Sequence, residues 1–295
     1  MTAFFTSAAD DHLVLWRGHA TESFTSPEYR VSPFNRAVLS WNVIGGATLE
    51  LQAGGVWYLM GRWNRLPHGE KTESVDVDTL ILKQNATSLR FRATLEAGAI
   101  LTLLAGAHWI DGEKREYTAT RSAAWGKILA VSERSQMAEE KDPGGICSPT
   151  SLAMLLEFHG IKKTIREVAD GVFDHAQKLY GNWPFNTAYA YQVSGLPCYV
   201  RRGLGLEDLE DEITAGRPVI IGHKWSQGEL TGPPISNSDG HLILVIGFTQ
   251  DGDLVVNDPA APAGAVRRVY KRRELYTTWL ERACGIMYVM MPRTP

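Results

Sequence analysis

The sequence predicts two domains of different fold class: an all-β sandwich or jelly roll, followed by an α+β domain. Three observations support this prediction. The chain has 295 residues, which is enough for about two domains. Residues 1–126 are rich in short apolar or alternating runs, which are typical of strands. In residues 127–295, by contrast, helical patterns come first and most of the β-runs come later.

The first domain is predicted from short β-runs that are separated by turns. The apolar or alternating runs lie at 13–16, 37–45, 47–52, 56–60, 74–82, 88–96 and 100–109. Predicted turns lie at Gly45-Gly46, Gly54-Gly55, Asn85-Ala86 and Ala97-Gly98. Short strands with turns at such regular intervals are typical of a β-sandwich or jelly roll.

Two groups of side chains in this domain have alternative interpretations. Six of the nine tryptophans lie at positions up to Trp125. They form either an exposed platform for a glycan or cell-surface polymer or the packing of a small core. Asp76 and Asp78 are either calcium ligands or part of a solvated strand face, and the solvated face is the favoured interpretation. The polar residues 111–126 are predicted to form the linker between the domains.

The second domain is predicted to be α+β because helices come first and strands later. Helical patterns lie at 149–159, 164–173, 186–193 and 206–216. The β-runs lie at 198–202, 218–225, 241–250 and 253–259. Asp251-Gly252, between the last two runs, is a strong signal for a β-hairpin turn.

A cysteine at the start of the first helical pattern is the main candidate for chemistry. Pro143-Gly144-Gly145 predicts a turn, Cys147 follows it, and residues 152–158 have the apolar spacing of a buried helix. Cys147 is therefore predicted at a helix N-terminus, where unpaired N–H groups and the helix dipole stabilise a thiolate. The alternative is a small core residue, since free cysteines are often buried.

A histidine and an aspartate are predicted to lie side by side. His241 opens the apolar strand pattern after a long polar stretch, and Asn257 and Asp258 end the return strand of the hairpin. Because the ends of an antiparallel hairpin meet, Asp258 or Asn257 is predicted near His241. An oriented imidazole close to Cys147 is the arrangement of an activated nucleophile, although a core histidine beside a turn aspartate is the structural alternative.

These residue types match the chemistry of amide cleavage. His241 takes the thiol proton and later protonates the leaving amine, while Asp258 holds the ring in the required tautomer. Gln136 precedes Cys147 by 11 residues. Its amide N–H is a candidate oxyanion donor, together with the backbone N–H of Cys147.

The stretches SQMAEEKDPGGICSPTSLAMLLEFHG and GHLILVIGFTQDGDLVVNDPAA together resemble the C39-like group of papain-fold cysteine peptidases. The resemblance covers residues 127–295 and implies a papain-like fold there. By position it implies Cys147 as the nucleophile and His241 as the general base. It further implies Asp258 as the orienting residue and Gln136 as the oxyanion donor, although the Gln136–Cys147 spacing is wider than is common in the family.

The predicted function is hydrolysis of a peptide or related amide through a thioester on Cys147. One alternative is an acyltransferase that uses the same site. The other is a catalytically idle peptide-binding module, anchored by the tryptophan-rich sandwich. The true C39 peptidases trim double-glycine leader peptides while fused to a transporter, and the absence of a transporter segment in this sequence argues against that substrate. The mechanism requires no metal or organic cofactor.

Composition argues against several other classes of protein. A net charge of −3 and a pI near 6.3 do not indicate a nucleic-acid partner. The cysteines lack the spacing of a zinc ribbon or disulfide framework, and Cys198 and Cys284 are expected to be structural. No stretch approaches the roughly 20 apolar residues of a membrane span. The N-terminus lacks signal-peptide features, so a cytoplasmic location is expected, with secretion or the cell surface left open.

Further residues are given structural interpretations. His223 is expected to be a surface residue at a strand end rather than a second site histidine. Trp225 and residues 183–186 are either walls of a substrate groove or part of the core. The basic residues at 267–273 are expected on a solvated strand edge rather than in a site for an acidic partner.

Overall fold

The structure is a computed structural model that describes residues 12–64, 74–113 and 116–292. Its contacts divide the chain into two compact units. One contains the chain up to residue 113 together with 173–202, and the other contains 114–172 and the chain from residue 203. This division differs from the predicted boundary, because 173–202 group with the N-terminal part. The assignment of 1–126 and 127–295 as separate domains stays a prediction.

Eight strands within the described residues of the first unit share one antiparallel sheet. They are β1 (Leu13–Ala20), β2 (Phe24–Thr25), β3 (Tyr29–Ile44), β4 (Ala47–Ala53), β5 (Val56–Trp63), β6 (Val75–Asp76), β7 (Thr79–Leu95) and β8 (Ile100–Trp109). Their order is β1-β8-β3-β7-β4-β5, and β2 and β6 also pair with β7. The strand-rich character of this region is confirmed, whereas the sandwich or jelly roll stays a prediction.

The predicted turn at Asn85-Ala86 is wrong, because the two residues lie inside the long strand β7. Ala86 pairs with the buried Phe34 of β3, and the register shifts on both sides of this pair. The sheet thus accommodates Asn85-Ala86 through local shifts of the register between β3 and β7. Cross-strand pairing and burial outweigh the local turn preference here.

Four of the tryptophans in this unit belong to its core. Trp16, Trp41, Trp63 and Trp109 are at most 3% exposed. Trp57 is only partly buried, and the Arg92 guanidinium lies 4.3 Å from its ring centroid. Core packing is therefore the role of these four rings, and they are not available as an exposed glycan platform.

The first unit also contains α3 (Trp183–Ser194) and β9 (Cys198–Arg202). The Phe185 ring lies edge-on to the rings of Trp41 and Trp63, with centroid distances of 5.9 and 5.5 Å. Phe185 is 2% exposed. Of the two interpretations for residues 183–186, core packing therefore holds for Phe185.

Asp78 is buried, which corrects the expectation of a solvated strand face, whereas Asp76 is exposed. Val77 turns the chain between β6 and β7 with a φ of 58° and directs Asp78 inward. One carboxylate oxygen accepts the Trp183 N–H at 2.8 Å, and the other accepts the Thr79 hydroxyl at 3.0 Å. Burial raises the pKa of Asp78 to about 7 against the lowering effect of these bonds.

The second unit combines an antiparallel sheet with several helices. Its strands are β10 (Val219–Trp225), β11 (Ser238–Phe248), β12 (Leu254–Asn257), β13 (Arg267–Tyr270) and β14 (Ile286–Met290), in the order β13-β12-β11-β10-β14. Its helices are α1 (Cys147–Phe158), α2 (Ile165–Val172), α4 (Leu206–Thr214) and α5 (Arg272–Tyr276), and a π-helical turn (Thr277–Glu281) follows α5. Helix α1 packs on β11, where the Ser151 hydroxyl donates to the Leu242 carbonyl at 3.1 Å. No helix within the described ranges has the length and apolar character needed to cross a membrane.

The end of the predicted linker is held on the second unit. The Gly126 N–H donates to the Phe248 carbonyl of β11 at 3.1 Å. The Trp125 indole donates at 2.7 Å to Glu210, whose carboxylate also pairs with Arg272 at 2.6 Å. Arg272 is only 5% exposed, so it departs from the expected solvated edge. A buried carboxylate compensates its charge.

Candidate active site

Cys147 occupies the first position of helix α1, as predicted. The helix behind it is buried over residues 148–156. The first N–H groups of a helix lack partners within it. Here the sulfur is hydrogen-bonded to the backbone N–H of Ser148 in the first turn of α1 and to that of Leu242 in β11. Cys147 itself is partly exposed. The sulfur is therefore held by backbone donors, on a residue that is partly open to solvent.

His241 and Asp258 are hydrogen-bonded, with 2.7 Å between Nε2 and Oδ1. The antiparallel pairing of β11 and β12, in which Leu244 lies opposite Asn257, brings them together. His241 is 3% exposed and Asp258 is fully buried. Asn257 directs its amide to the Ser132 carbonyl instead, at 3.1 Å. Of the two residues predicted as partners of His241, the structure places Asp258 there.

The side chains of Cys147 and His241 are also hydrogen-bonded to each other. Burial raises the pKa of the Cys147 thiol, but the bond with His241, its positive charge and the two backbone N–H groups together lower it below its ordinary value. Burial lowers the pKa of His241, but its bonds with Asp258 and Cys147 raise it to about 10. These opposite shifts favour a thiolate–imidazolium pair at neutral pH.

Asp258 has two further partners that sequence analysis did not identify. The Tyr270 hydroxyl donates to Oδ2 at 2.6 Å, and the Ala260 N–H donates to Oδ1 at 3.0 Å. Burial raises the pKa of Asp258, but the bonds from His241, Tyr270 and Ala260 lower it overall. Tyr270 lies within the basic pattern at 267–273, and the charges of that pattern favoured a solvated strand edge rather than a partner for Asp258. No local sequence signal pointed to this contact, because Tyr270 lies opposite Leu254 at the other end of β12 and only its side chain reaches Asp258.

His223 is fully buried, which corrects its expected surface position. It lies opposite His241 in the register of β10 and β11, and the ring centroids are 5.6 Å apart. Because β10 lies between β11 and β14, it is an interior strand rather than an edge. The Trp225 ring lies 4.5 Å from that of His223 and 5.8 Å from that of His241. Burial and the charge of His241 lower the pKa of His223 to about 3.

Gln136 connects the two segments that carry Cys147 and Asp258. Its backbone N–H donates to the Pro259 carbonyl at 2.8 Å, directly after Asp258. Its side-chain Nε2 donates to the Pro143 carbonyl at 2.6 Å, in the turn that leads into Cys147. Gln136 is 4% exposed. Its amide donor is thus bound to a backbone carbonyl, and its role toward an oxyanion stays a prediction.

The other two cysteines differ from Cys147. Cys198 is fully buried in β9, and burial raises the pKa of its thiol far above the ordinary value. Cys284 is partly exposed and lies in a turn with a φ of 59°. Among the described residues, no group of three or more histidine, cysteine, aspartate or glutamate side chains is placed to hold a metal ion.

A sequence model described as the Peptidase_C39 like family matches residues 128–287, which is more than half of the chain. The chain belongs to the Peptidase_C39 like family. The resemblance seen in the sequence is thereby confirmed, and the matched range of this C39-like protein includes Gln136, Cys147, His241 and Asp258. No curated protein matches the chain.

Three solved structures are similar to this C39-like protein, and each covers 57% of its chain. A putative C39-like peptidase from Bacillus anthracis is 18% identical, with 99% of that chain covered and a TM-score of 0.44. A double glycine motif protease from an AMS/PCAT transporter, in complex with the leader peptide, is 19% identical, with 95% covered and a TM-score of 0.36. The peptidase domain of Streptococcus ComA, a bi-functional ABC transporter, is 15% identical, with 98% covered and a TM-score of 0.37.

Proposed function

We propose that this protein is a cysteine peptidase or amidase that hydrolyses a peptide or related amide through a thioester on Cys147. The observation that carries the proposal is that one buried imidazole, His241, is hydrogen-bonded to both Cys147 and Asp258. A thiol, a base and a group that orients the base are the parts of an activated cysteine nucleophile. Membership of the C39-like family supports the same chemistry.

In the first half of the reaction, the Cys147 thiolate donates an electron pair to the carbonyl carbon of the substrate, and the carbonyl oxygen takes the negative charge. The His241 imidazolium then gives its proton to the amide nitrogen. The C–N bond breaks, the amine leaves, and the acyl group stays on the sulfur as a thioester. Asp258 stabilises the imidazolium and fixes its orientation through the Nε2–Oδ1 bond.

In the second half, His241 is neutral and removes a proton from water. The hydroxide equivalent attacks the thioester carbon, and the C–S bond breaks. The products are a carboxylic acid and the regenerated thiolate–imidazolium pair. Acyl transfer uses the same thioester with an amine in place of water.

The oxyanion requires a donor in both halves. The Cys147 backbone N–H and the Gln136 amide are the candidates from the sequence. Gln136 donates to the Pro143 carbonyl in the resting structure, so this role requires it to exchange that partner for the substrate oxygen. One oxyanion donor contributes roughly 3–4 kcal/mol to lowering the barrier.

The first test needs no substrate. Alkylation of each cysteine by iodoacetamide is followed against pH by peptide mass spectrometry, in the wild type and in His241→Ala. We expect Cys147 to react fast well below pH 7, and His241→Ala to move its profile toward an ordinary thiol pKa of about 8.5. Cys198 and Cys284 are internal controls in the same sample, because Cys147 is the cysteine whose side chain is hydrogen-bonded to His241.

The second test is turnover of a mixture of fluorogenic peptide amides by the wild type and by Cys147→Ser. Turnover that disappears in Cys147→Ser supports the hydrolase, and turnover that survives contradicts it. A reactive Cys147 without turnover favours the idle binding module. An added peptide amine separates the remaining alternative, because an acyltransferase passes the acyl group to the amine in preference to water, whereas a hydrolase releases mainly the free acid.

A further inference from the structure

Asp258 has hydrogen-bond partners at both oxygens. Oδ1 accepts from His241 at 2.7 Å and from the Ala260 N–H at 3.0 Å. Oδ2 accepts from the Tyr270 hydroxyl at 2.6 Å. A carboxylate bound at one oxygen alone is free to rotate about its last torsion. With both oxygens bound, it is held in one orientation.

We propose that Tyr270 is a positioning residue of the site, whose hydroxyl holds Asp258 in the orientation that presents Oδ1 to His241. This inference rests on the proposed cysteine-peptidase function. Tyr270 touches neither substrate nor sulfur in this scheme. It acts on Cys147 through Asp258 and His241.

The location of Tyr270 suits this role. Tyr270 lies opposite Leu254, the first residue of β12, whereas Asp258 follows the last residue of β12, so the Tyr270 side chain extends along the strand to reach Oδ2. Tyr270 is 1% exposed and Asp258 is fully buried, so water does not replace the phenol at Oδ2 without rearrangement. A short hydrogen bond from a neutral hydroxyl to a buried carboxylate is of the charge-assisted, stronger class.

The Tyr270 hydroxyl stays protonated, and so remains a hydrogen-bond donor, over the whole pH range of the assay. Burial raises the pKa of Tyr270, and so does the negative charge of Asp258, while the positive charge of Arg268 acts weakly in the other direction. His223 on β10 also faces this cluster, with its ring centroid 6.3 Å from that of Tyr270, and its lowered pKa keeps it neutral. Tyr270 therefore presents its proton to Oδ2 without a competing ionisation.

Removal of the hydroxyl leaves a buried carboxylate oxygen without a donor. The carboxylate compensates for the missing donor either by rotating or by taking up a proton. Both responses weaken the bond to His241. The imidazolium then has less support, and the fraction of Cys147 present as thiolate falls.

The test is Tyr270→Phe, which keeps the ring and removes the hydroxyl. We expect the midpoint of the pH profile of Cys147 alkylation to rise by about one pH unit, the size expected for loss of a hydrogen bond to a charged group. The matched control is Tyr276→Phe, because Tyr276 is also buried in this unit, at 2% exposure, and is not among the hydrogen-bond partners named for Asp258. Its Cys147 profile is expected to match the wild type.

A double-mutant cycle separates positioning from a general structural role. If Tyr270 acts through Asp258, Tyr270→Phe has no further effect on Cys147 alkylation in an Asp258→Asn background. Equal effects in both backgrounds, or an unchanged profile in folded Tyr270→Phe, overturn the proposal. A downfield NMR signal from the His241 Nε2 proton gives an independent readout, and we expect it to shift or broaden in Tyr270→Phe but not in Tyr276→Phe.

A second variant covers the case in which Tyr270→Phe does not fold. Incorporation of 3-fluorotyrosine at position 270 keeps the hydroxyl and makes it a stronger acid. The proposal requires a changed pH profile for Cys147, and an unchanged profile overturns it. Because alkylation does not depend on amide cleavage, a Tyr270-dependent profile without turnover contradicts the proposed hydrolase and leaves the positioning role standing.

Discussion

His223 and His241 lie opposite each other on neighbouring strands with ring centroids 5.6 Å apart, yet the structure drives their protonation in opposite directions. Burial and the charge of His241 lower the pKa of His223 to about 3. Bonds with Asp258 and Cys147 outweigh burial at His241 and raise its pKa to about 10. A charged imidazolium is thus packed against a neutral imidazole.

The buried neutral state of His223 predicts a loss of stability in acid. Between pH 6.5 and 3 the unfolded chain binds a proton at this histidine and the folded chain does not, so the free energy of unfolding falls as the pH falls. We expect His223→Phe to remove about 2–3 kcal/mol of this loss between pH 7 and pH 4. Urea unfolding of both proteins at each pH provides the measurement. A wild type and variant that differ by the same amount at every pH would contradict the prediction.

The buried carboxyl of Asp78 predicts that the free energy of unfolding changes with pH in the opposite direction. Its pKa is raised from 3.8 to about 7 by burial, so between these values the folded chain keeps a proton that the unfolded chain has released. The free energy of unfolding therefore falls as the pH rises from 4 to 7. We expect Asp78→Asn to be more stable than the wild type at pH 8, by about 2–4 kcal/mol, and similar to it at pH 4.

The matched control for Asp78 is Asp76→Asn, because Asp76 lies two residues away and is exposed. Thermal unfolding at pH 4, 6 and 8 compares the three proteins. A small effect that is independent of pH is expected for Asp76→Asn. A pH dependence in Asp78→Asn as steep as in the wild type would show that the Asp78 carboxyl is not the titrating group.

Gln136 is predicted to act on the oxyanion and not on the thiolate. Substitution by alanine removes the side-chain donor, which the tetrahedral intermediate needs but alkylation by iodoacetamide does not. We expect Gln136→Ala to lower kcat for a cleaved peptide by about 100-fold. The alkylation profile of Cys147 is expected to stay within about twofold of the wild type.

The two assays on Gln136→Ala distinguish a role as oxyanion donor from a role in holding the turn before Cys147. The side chain donates to the Pro143 carbonyl in the turn before Cys147, so a purely structural role would displace Cys147 as well. Parallel losses of turnover and of thiolate reactivity would assign Gln136 to holding that turn. Gln136→Glu is a useful companion, since it keeps the length and replaces the amide donor by a carboxylate.

Local sequence signals were sufficient to predict the two parts of the site that depend on short-range structure. The Pro-Gly-Gly turn and the apolar spacing after it predicted Cys147 at a helix start, which the structure confirms. His241 and Asp258 are 17 residues apart, so one hairpin is enough to bring them together. The family of the C-terminal region was also recognisable, because its motifs lie in these same local segments.

Tertiary structure decided the features that depend on packing between distant segments. His223 has a sequence context that suits a strand end, and only the place of β10 inside the sheet buries it. Asn85-Ala86 favours a turn locally, but pairing with β3 keeps it in a strand. The contact between Tyr270 and Asp258 depends on the path of a third strand. Burial and cross-strand pairing are long-range terms, and they exceed the local preferences that a single sequence reveals.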